Sequence, residues 1–86
     1  MREYRVALTS SAEKELSRLP NEMVARIISK IELLARDARP RGSKKLSGGN
    51  NEWRIRVGNY RAIYTIDDKI WSVEVARIAH RQGAYE

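Results

Sequence analysis

The run Trp53-Arg54-Ile55-Arg56-Val57-Gly58-Asn59-Tyr60-Arg61-Ala62-Ile63-Tyr64 decides the fold. Trp53, Ile55 and Val57 alternate with Arg54 and Arg56, and a period of two sends the two sets to opposite faces of a strand. Gly58-Asn59 is the two-residue signal of a tight hairpin. The next strand therefore runs back from Tyr60 to Ile66, and Asp67-Asp68 turns the chain again. A last strand, from Lys69 or Ile70 to Ile78 or Ala79, carries Trp71, Val73 and Val75 on one side. Tyr60, Ala62, Tyr64 and Ile66 oppose Arg61, Ile63 and Thr65, and Arg61 is placed with Arg54 and Arg56.

Upstream, Tyr4, Val6 and Leu8 alternate with Arg5, Ala7 and Thr9, which predicts a short strand over about residues 2–9. Ser10 or Ser11 offers a hydroxyl cap to a helix over residues 11–19, with Ala12, Leu16 and Leu19 on one face. Pro20 interrupts it. Asn21 caps a second helix, and Glu22 suits the positive end of its dipole. Val24, Ile27, Ile28, Ile31, Leu34 and Ala35 repeat at helical spacing, and this helix ends near Arg36 or Asp37. Residues 37–51 read as loop, with Pro40, Gly42, Gly48, Gly49 and Asn50 resisting regular structure and Leu46 pinning it down. The order is strand, helical hairpin, then a three-stranded antiparallel meander. That is an α+β plan in one domain, residues 1–86, with the helices on one face of an antiparallel sheet and the other face open. Arg54, Arg56 and Arg61 belong to the open face.

Composition narrows the function. The 86 residues are 42% apolar and 33% charged, which is globular, neither disordered nor membranous. The absence of cysteine excludes a disulfide framework, a cysteine zinc site, an iron–sulfur cluster and a thiol nucleophile. One histidine, His80, cannot build a multi-histidine metal site, and no metal or other cofactor is expected. No apolar run approaches the roughly 20 residues of a membrane span. Arg2, Glu3 and Arg5 stand where a secretory signal would begin its apolar core, so a cytoplasmic protein is expected. The formal charge is +6, and all of that excess lies in residues 39–61, with seven Lys/Arg against Glu52. A block of one sign fits an anionic partner better than a surface tuned for solubility.

No phosphate-binding Gly-x-x-x-x-Gly-Lys loop is present, and no serine has a histidine and an acid in a familiar order. What remains is Arg54, Arg56, Arg61, His80, Arg81 and Tyr85. Arg54 and Arg56 share a strand face, and the tight turn brings Arg61 beside Arg56. Planar guanidinium groups on one face suit phosphate oxygens, which they bind bidentately. Tyr85 can stack on an unpaired base.

The stretch from Trp53 to Tyr64, followed by His80-Arg81 and then Tyr85, resembles the RelE/ParE toxin superfamily over nearly the whole chain. The terminal His-Arg with a later Tyr leans towards the RelE branch. What the resemblance implies is a toxin that enters the ribosomal A site and cuts mRNA, held in check by an antitoxin that binds operator DNA. The ParE branch instead inhibits DNA gyrase and is not a nuclease. By the resemblance, Arg54 and Arg56 match a basic pair that is commonly lysine, Arg61 stabilises the scissile phosphate, Arg81 lies near the leaving group, and Tyr85 orients the nucleotide. Arg41, Lys44 and Lys45 are the RNA-binding candidates. The implied chemistry is metal-independent attack by a ribose 2′-OH on the adjacent phosphorus, which leaves a 2′,3′-cyclic phosphate and a 5′-OH. Arginine at positions 54 and 56 is a poor general base. Either proton removal is weakly catalysed, or Lys44, Lys45 or His80 performs it, and His80 has the most suitable intrinsic pKa. The chain stops at Glu86, so the extra C-terminal helix of some members is not expected.

Overall fold

In the computed structural model, which describes residues 3–47 and 51–80, the chain forms β1 (Arg5–Leu8), α1 (Ser10–Ser17), α2 (Asn21–Leu33), β2 (Lys44–Lys45), β3 (Glu52–Val57), β4 (Tyr60–Asp67) and β5 (Ser72–His80). The sheet has the order β1-β5-β4-β3-β2. The meander β3–β4–β5 is antiparallel, as its turns require. The expectation of a wholly antiparallel sheet is corrected at β1, which joins the free edge of β5 and runs parallel to it. The loop reading of residues 37–51 is corrected too, because Lys44 and Lys45 pair with Arg54 and Trp53 as a two-residue edge strand. Two residues among glycines carry no periodicity to read.

The helix boundaries differ from expectation for local reasons. Thr9, one residue ahead of the serines, caps α1, its hydroxyl accepting from the Ala12 amide at 3.1 Å. Pro20 occupies the cap position of α2, so Asn21 falls inside the first turn and makes no side-chain cap bond. The Pro20 carbonyl accepts from Met23 and Val24, both at 3.0 Å, so the residue that ends one helix seeds the next.

The core lies where the two helices cover one sheet face. Ala12 and Leu16 of α1 and Ile27, Ile31 and Leu34 around α2 pack with Ile55, Val57, Ala62, Tyr64, Ile66, Val73, Val75 and Ile78. Each fully buried aliphatic side chain contributes roughly 1.5–3 kcal/mol. Tyr64 is the largest of the fully buried side chains, and its hydroxyl donates to the Ala38 carbonyl at 2.9 Å, tying the loop after α2 to the sheet.

Trp71 is not part of the last strand. It has φ 54°, a left-handed conformation costly for a bulky residue, inside the turn that precedes Ser72. Its carbonyl accepts the Arg5 amide at 2.7 Å, and its ring lies 4.9 Å from that of Tyr4. The Tyr4 hydroxyl and the Arg39 guanidinium both donate to Asp68, Arg39 through two nitrogens at 3.3 and 2.9 Å. These bonds close the N-terminal strand onto the β4–β5 turn.

A bulge in β5 decides which way the end of the strand faces. Tyr64 pairs with Val75 and Ile63 with Arg77, so Ala76 is an extra residue. The alternation therefore inverts there, and Val73, Val75 and then Ile78 all reach the core. The Thr9 hydroxyl donates to the Ala76 carbonyl at 3.1 Å, and the Glu15 carboxylate accepts from the Ile78 amide at 2.8 Å and from Arg77 Nε at 2.9 Å.

Two of these tethers have measurable consequences for stability. Tyr64→Phe strands the buried Ala38 carbonyl and lowers unfolding free energy in urea by about 1–2 kcal/mol. Burial pushes the Tyr64 phenol up to about 12, so its contribution is complete below pH 10 and drains away as pH rises from 10 through 12, and Tyr64→Phe removes that alkaline loss. At the other end, the Arg39 guanidinium and then the Tyr4 hydroxyl hold the Asp68 carboxyl below its ordinary value of 3.8. A depressed carboxylate stabilises above that value and stops doing so as pH falls through its folded one, so Asp68→Asn flattens the acid limb of the stability profile. The group is solvent-exposed, so salt shrinks the effect.

Candidate nucleic-acid interface

The sheet face turned away from the helices carries the basic residues of the hairpin. Register sets Arg56 directly opposite Arg61, and Arg61 opposite Ala79. The next row is Arg54, Ile63 and Arg77, and Lys44 of β2 stands opposite Arg54 on the same face. Arg54, Arg56 and Arg61 therefore share one face, the arrangement expected of the alternating run.

That face is less open than expected. Arg54 is only 8% exposed and Arg61 9%, while Arg56 is exposed. Ile63 and Leu46 are buried as well, outside the main core. The Leu46 amide donates to the Glu52 carbonyl at 2.8 Å, which extends the pairing of β2 and gives Leu46 the phase of Lys44 and Arg54. Two buried apolar residues thus share the basic face. The expectation that Arg54 and Arg61 lie on an open face is corrected accordingly.

Beside this face, at the edge of β3, is a cleft of about 560 Å³ between α2 and the loop at 40–44, lined by Lys30, Arg41, Lys44, Arg54 and Arg56. A second cleft of about 460 Å³ continues along α2 and adds Arg26. Lys30, Leu33 and Arg56 line both, and neither lining includes a carboxylate or an aromatic ring. Gly58, at φ 60°, makes the turn of the hairpin, and a Cβ built there would lie 3.5–3.6 Å from Met23 and the Arg26 guanidinium. Arg26 thus hangs over the hairpin turn close to Arg56. Sequence reasoning missed Arg26 and Lys30 because they belong to the nearly neutral half of the chain. Their signal was the spacing of four residues, which aligns them on one helix face, followed by Leu33. A further groove, about 740 Å³, is at the other end of the sheet, where Asp67, Asp68 and Glu74 make it unsuited to an anion.

Two sequence candidates do not join the site. His80 pairs with Tyr60, edge to face at 5.2 Å between centroids, on the side of the sheet that carries Ala62 and Ile78. The expectation that its ring borders the arginines is corrected. Without the bulge at Ala76, His80 would point to the basic face, and one extra residue inverts it. Lys45 is opposite Trp53, out of phase with Lys44, and does not line the cleft. Arg81 and Tyr85 lie outside the described residues. Among the described residues no group of three or more His, Asp or Glu converges. No described helix is long and apolar enough to cross a membrane.

A face of this kind binds phosphoryl oxygens through guanidinium forks and stabilises negative charge that builds on them.

Comparison with known proteins shows the family. The family model described as "ParE toxin of type II toxin-antitoxin system, parDE" matches residues 6–85. The curated protein "Toxin RelE" of Mycobacterium tuberculosis is 31% identical, over 95% of this chain and 86% of its own length. The archaeal RelE–RelB complex of Pyrococcus horikoshii contains a chain that superposes with a TM-score of 0.82 at 28% identity, covering 94% of this chain and 98% of that one. A chain of the toxin–antitoxin complex RelBE2 from M. tuberculosis gives 0.81 at 31% identity, covering 92% and 99%.

Like charges placed directly opposite on a sheet destabilise it by roughly 0.2–1 kcal/mol. An anion between Arg56 and Arg61 relieves this. Inorganic phosphate at about ten times its Kd is expected to add about 1.4 kcal/mol to the wild type, read as a rise in melting temperature. Arg56→Ala, at an exposed position, is expected to leave the unliganded melting temperature level or higher and to weaken the phosphate response. An unchanged response would place the anion elsewhere.

Proposed function

The chain belongs to the ParE toxin family of type II toxin–antitoxin systems, and from its likeness to RelE toxins we propose that it is a ribosome-dependent endoribonuclease that cuts mRNA in the A site. The observation that carries this reading is the row of Arg54, Arg56 and Arg61 on one sheet face with Lys44 beside it. In the proposed reaction the ribose 2′-oxygen attacks the adjacent phosphorus, the bond to the 5′-oxygen breaks, and a 2′,3′-cyclic phosphate and a 5′-OH result. Arg61 and Arg56 grip the phosphoryl oxygens, where charge accumulates in the transition state. The reaction is read as independent of metal.

The proton of the 2′-OH needs an acceptor, and arginine is effectively always protonated. Of the candidates raised by the sequence, Lys44 alone stands on the arginine face within the cleft; it is exposed, so it is assigned the support of the phosphoryl oxygens, and the 2′-OH proton passes to water. Arg81 and Tyr85 keep the roles that the resemblance implies, at the leaving group and the base. The cognate partner is an antitoxin, as in the complexes of the archaeal and mycobacterial relatives. It would silence the toxin by covering the basic face, and operator DNA would be reached only through it. The working compartment is the cytoplasm, where the ribosomes are.

Single-turnover cleavage on ribosomes tests the assignments. Arg61→Ala is expected to lose roughly 10²–10³ in rate, as for one oxyanion donor. Lys44→Ala is expected to lose roughly 10²–10³ in rate with the pH dependence unchanged. His80→Gln should leave both unchanged, and a chelator should not slow the wild type. Loss of both the rate and the pH profile in His80→Gln would give the proton transfer to His80. The family model is named for ParE toxins, which favours one rival reading, a gyrase inhibitor without nuclease activity. Inhibition of gyrase supercoiling by the purified toxin, with no mRNA cut, would establish that reading.

A further inference from the structure

We propose that the trough between α2 and the edge of β3, which runs on from the reacting row and shares Lys44, Arg54 and Arg56 with it, is a second nucleic-acid surface that takes the phosphate backbone of folded, paired RNA. This rests on the reading that the toxin acts on the ribosome and names what the toxin holds there besides mRNA.

The trough is cationic along its length. Its two clefts share Lys30, Leu33 and Arg56 and form one path along α2, lined by Arg26, Lys30, Arg41, Lys44, Arg54 and Arg56. Six cations without a lining carboxylate form an electrostatic footprint for a polyanion. Arg26 and Lys30 are one helical turn apart, about 6 Å along the axis, a spacing of the order of that between successive backbone phosphates. Both are exposed on the polar side of α2, where neither packs into the core.

What the trough lacks identifies the kind of nucleic acid. Unpaired RNA is usually gripped by aromatic rings on which its bases stack, and bases are read by Asn, Gln or similar side chains. The lining has no aromatic ring, no Asn and no Gln among the described residues. Cations alone recognise the backbone and leave the sequence unread. A paired helix, with its bases turned inward, fits such a surface. Among the described residues, the only large apolar side chain that the trough exposes is Leu33, at 55%, too little for an amphipathic protein segment to anchor on. The path also runs on from Arg56, so one molecule can hold paired RNA along α2 while a single strand occupies the row at Arg56 and Arg61. In this arrangement the folded RNA positions the toxin, and the row does the chemistry.

The test is the double variant Arg26→Ala/Lys30→Ala in the full chain, with circular-dichroism melting to confirm that the fold is intact. Binding is measured by fluorescence anisotropy to a labelled RNA hairpin and to oligouridine over a range of salt. Removing one cation from a duplex phosphate flattens the plot of log K against log salt by about 0.9. The double variant is therefore expected to flatten the hairpin slope by about two and to weaken hairpin binding roughly tenfold, with oligouridine binding affected less. On programmed ribosomes, KM rises while the rate at saturation is unchanged. Hairpin affinity and slope equal to wild type would overturn the proposal. A larger loss on oligouridine would overturn the assignment to paired RNA. Unchanged RNA binding with weakened binding of the cognate antitoxin would give the trough to a protein partner. If the wild type cuts no mRNA on ribosomes, the proposed function fails, and the hairpin measurements still decide the trough.

Discussion

The register of the β3–β4 hairpin governs the rest of the molecule. A two-residue turn at Gly58-Asn59 leaves one pairing, Val57 with Tyr60, and from it every other pair is determined. In that register Ile55, Val57, Ala62, Tyr64 and Ile66 go to the helices, and Arg54, Arg56 and Arg61 go to the opposite face. A slip of one residue in either strand would exchange the two sets and put arginines into the core. The apolar face is thus the reason the basic face exists in one place. Burial against α1 and α2 fixes the register, and the register gathers the arginines.

Arg56 directly opposite Arg61 sets like charges against each other on the sheet. The native structure holds them because stronger terms elsewhere outweigh the repulsion. Tyr64 ties the sheet to the loop after α2, Asp68 ties the β4–β5 turn to Tyr4 and Arg39, and Glu15 with Thr9 fastens the bulge in β5. These contacts lie away from the basic face.

The parts of this that could be read from the sequence are those with a clear period. The alternation from Trp53 to Val57, the Gly58-Asn59 turn and the helical spacing of Ile27, Ile31 and Leu34 each dictate local structure, so the meander, the helical hairpin and the basic face were legible. β1 lying parallel to β5 was not, because four residues say nothing of which edge they join. β2 was hidden by its length. The bulge at Ala76 was invisible as well, since Val73, Val75 and Ile78 look like one unbroken strand, and that one residue turned His80 away from the arginines. Arg26 and Lys30 were overlooked because net charge was counted along the chain, whereas the trough is assembled across α2 and β3. The burial of Arg54 and Arg61 had no periodic signal, although Leu46 and Ile63 are buried on the same face.

The most direct test of the central claim is the chemistry of the ends left in cellular mRNA after brief induction of the toxin. The 5′ ends are mapped by primer extension, and the upstream fragments are tested for a cyclic phosphate. Cleavage by the arginine row predicts cuts within translated codons, at the position of the A site, with 2′,3′-cyclic phosphate on one fragment and 5′-OH on the other, absent when Arg61→Ala is induced. Intact mRNA together with gyrase-linked DNA breaks would contradict it.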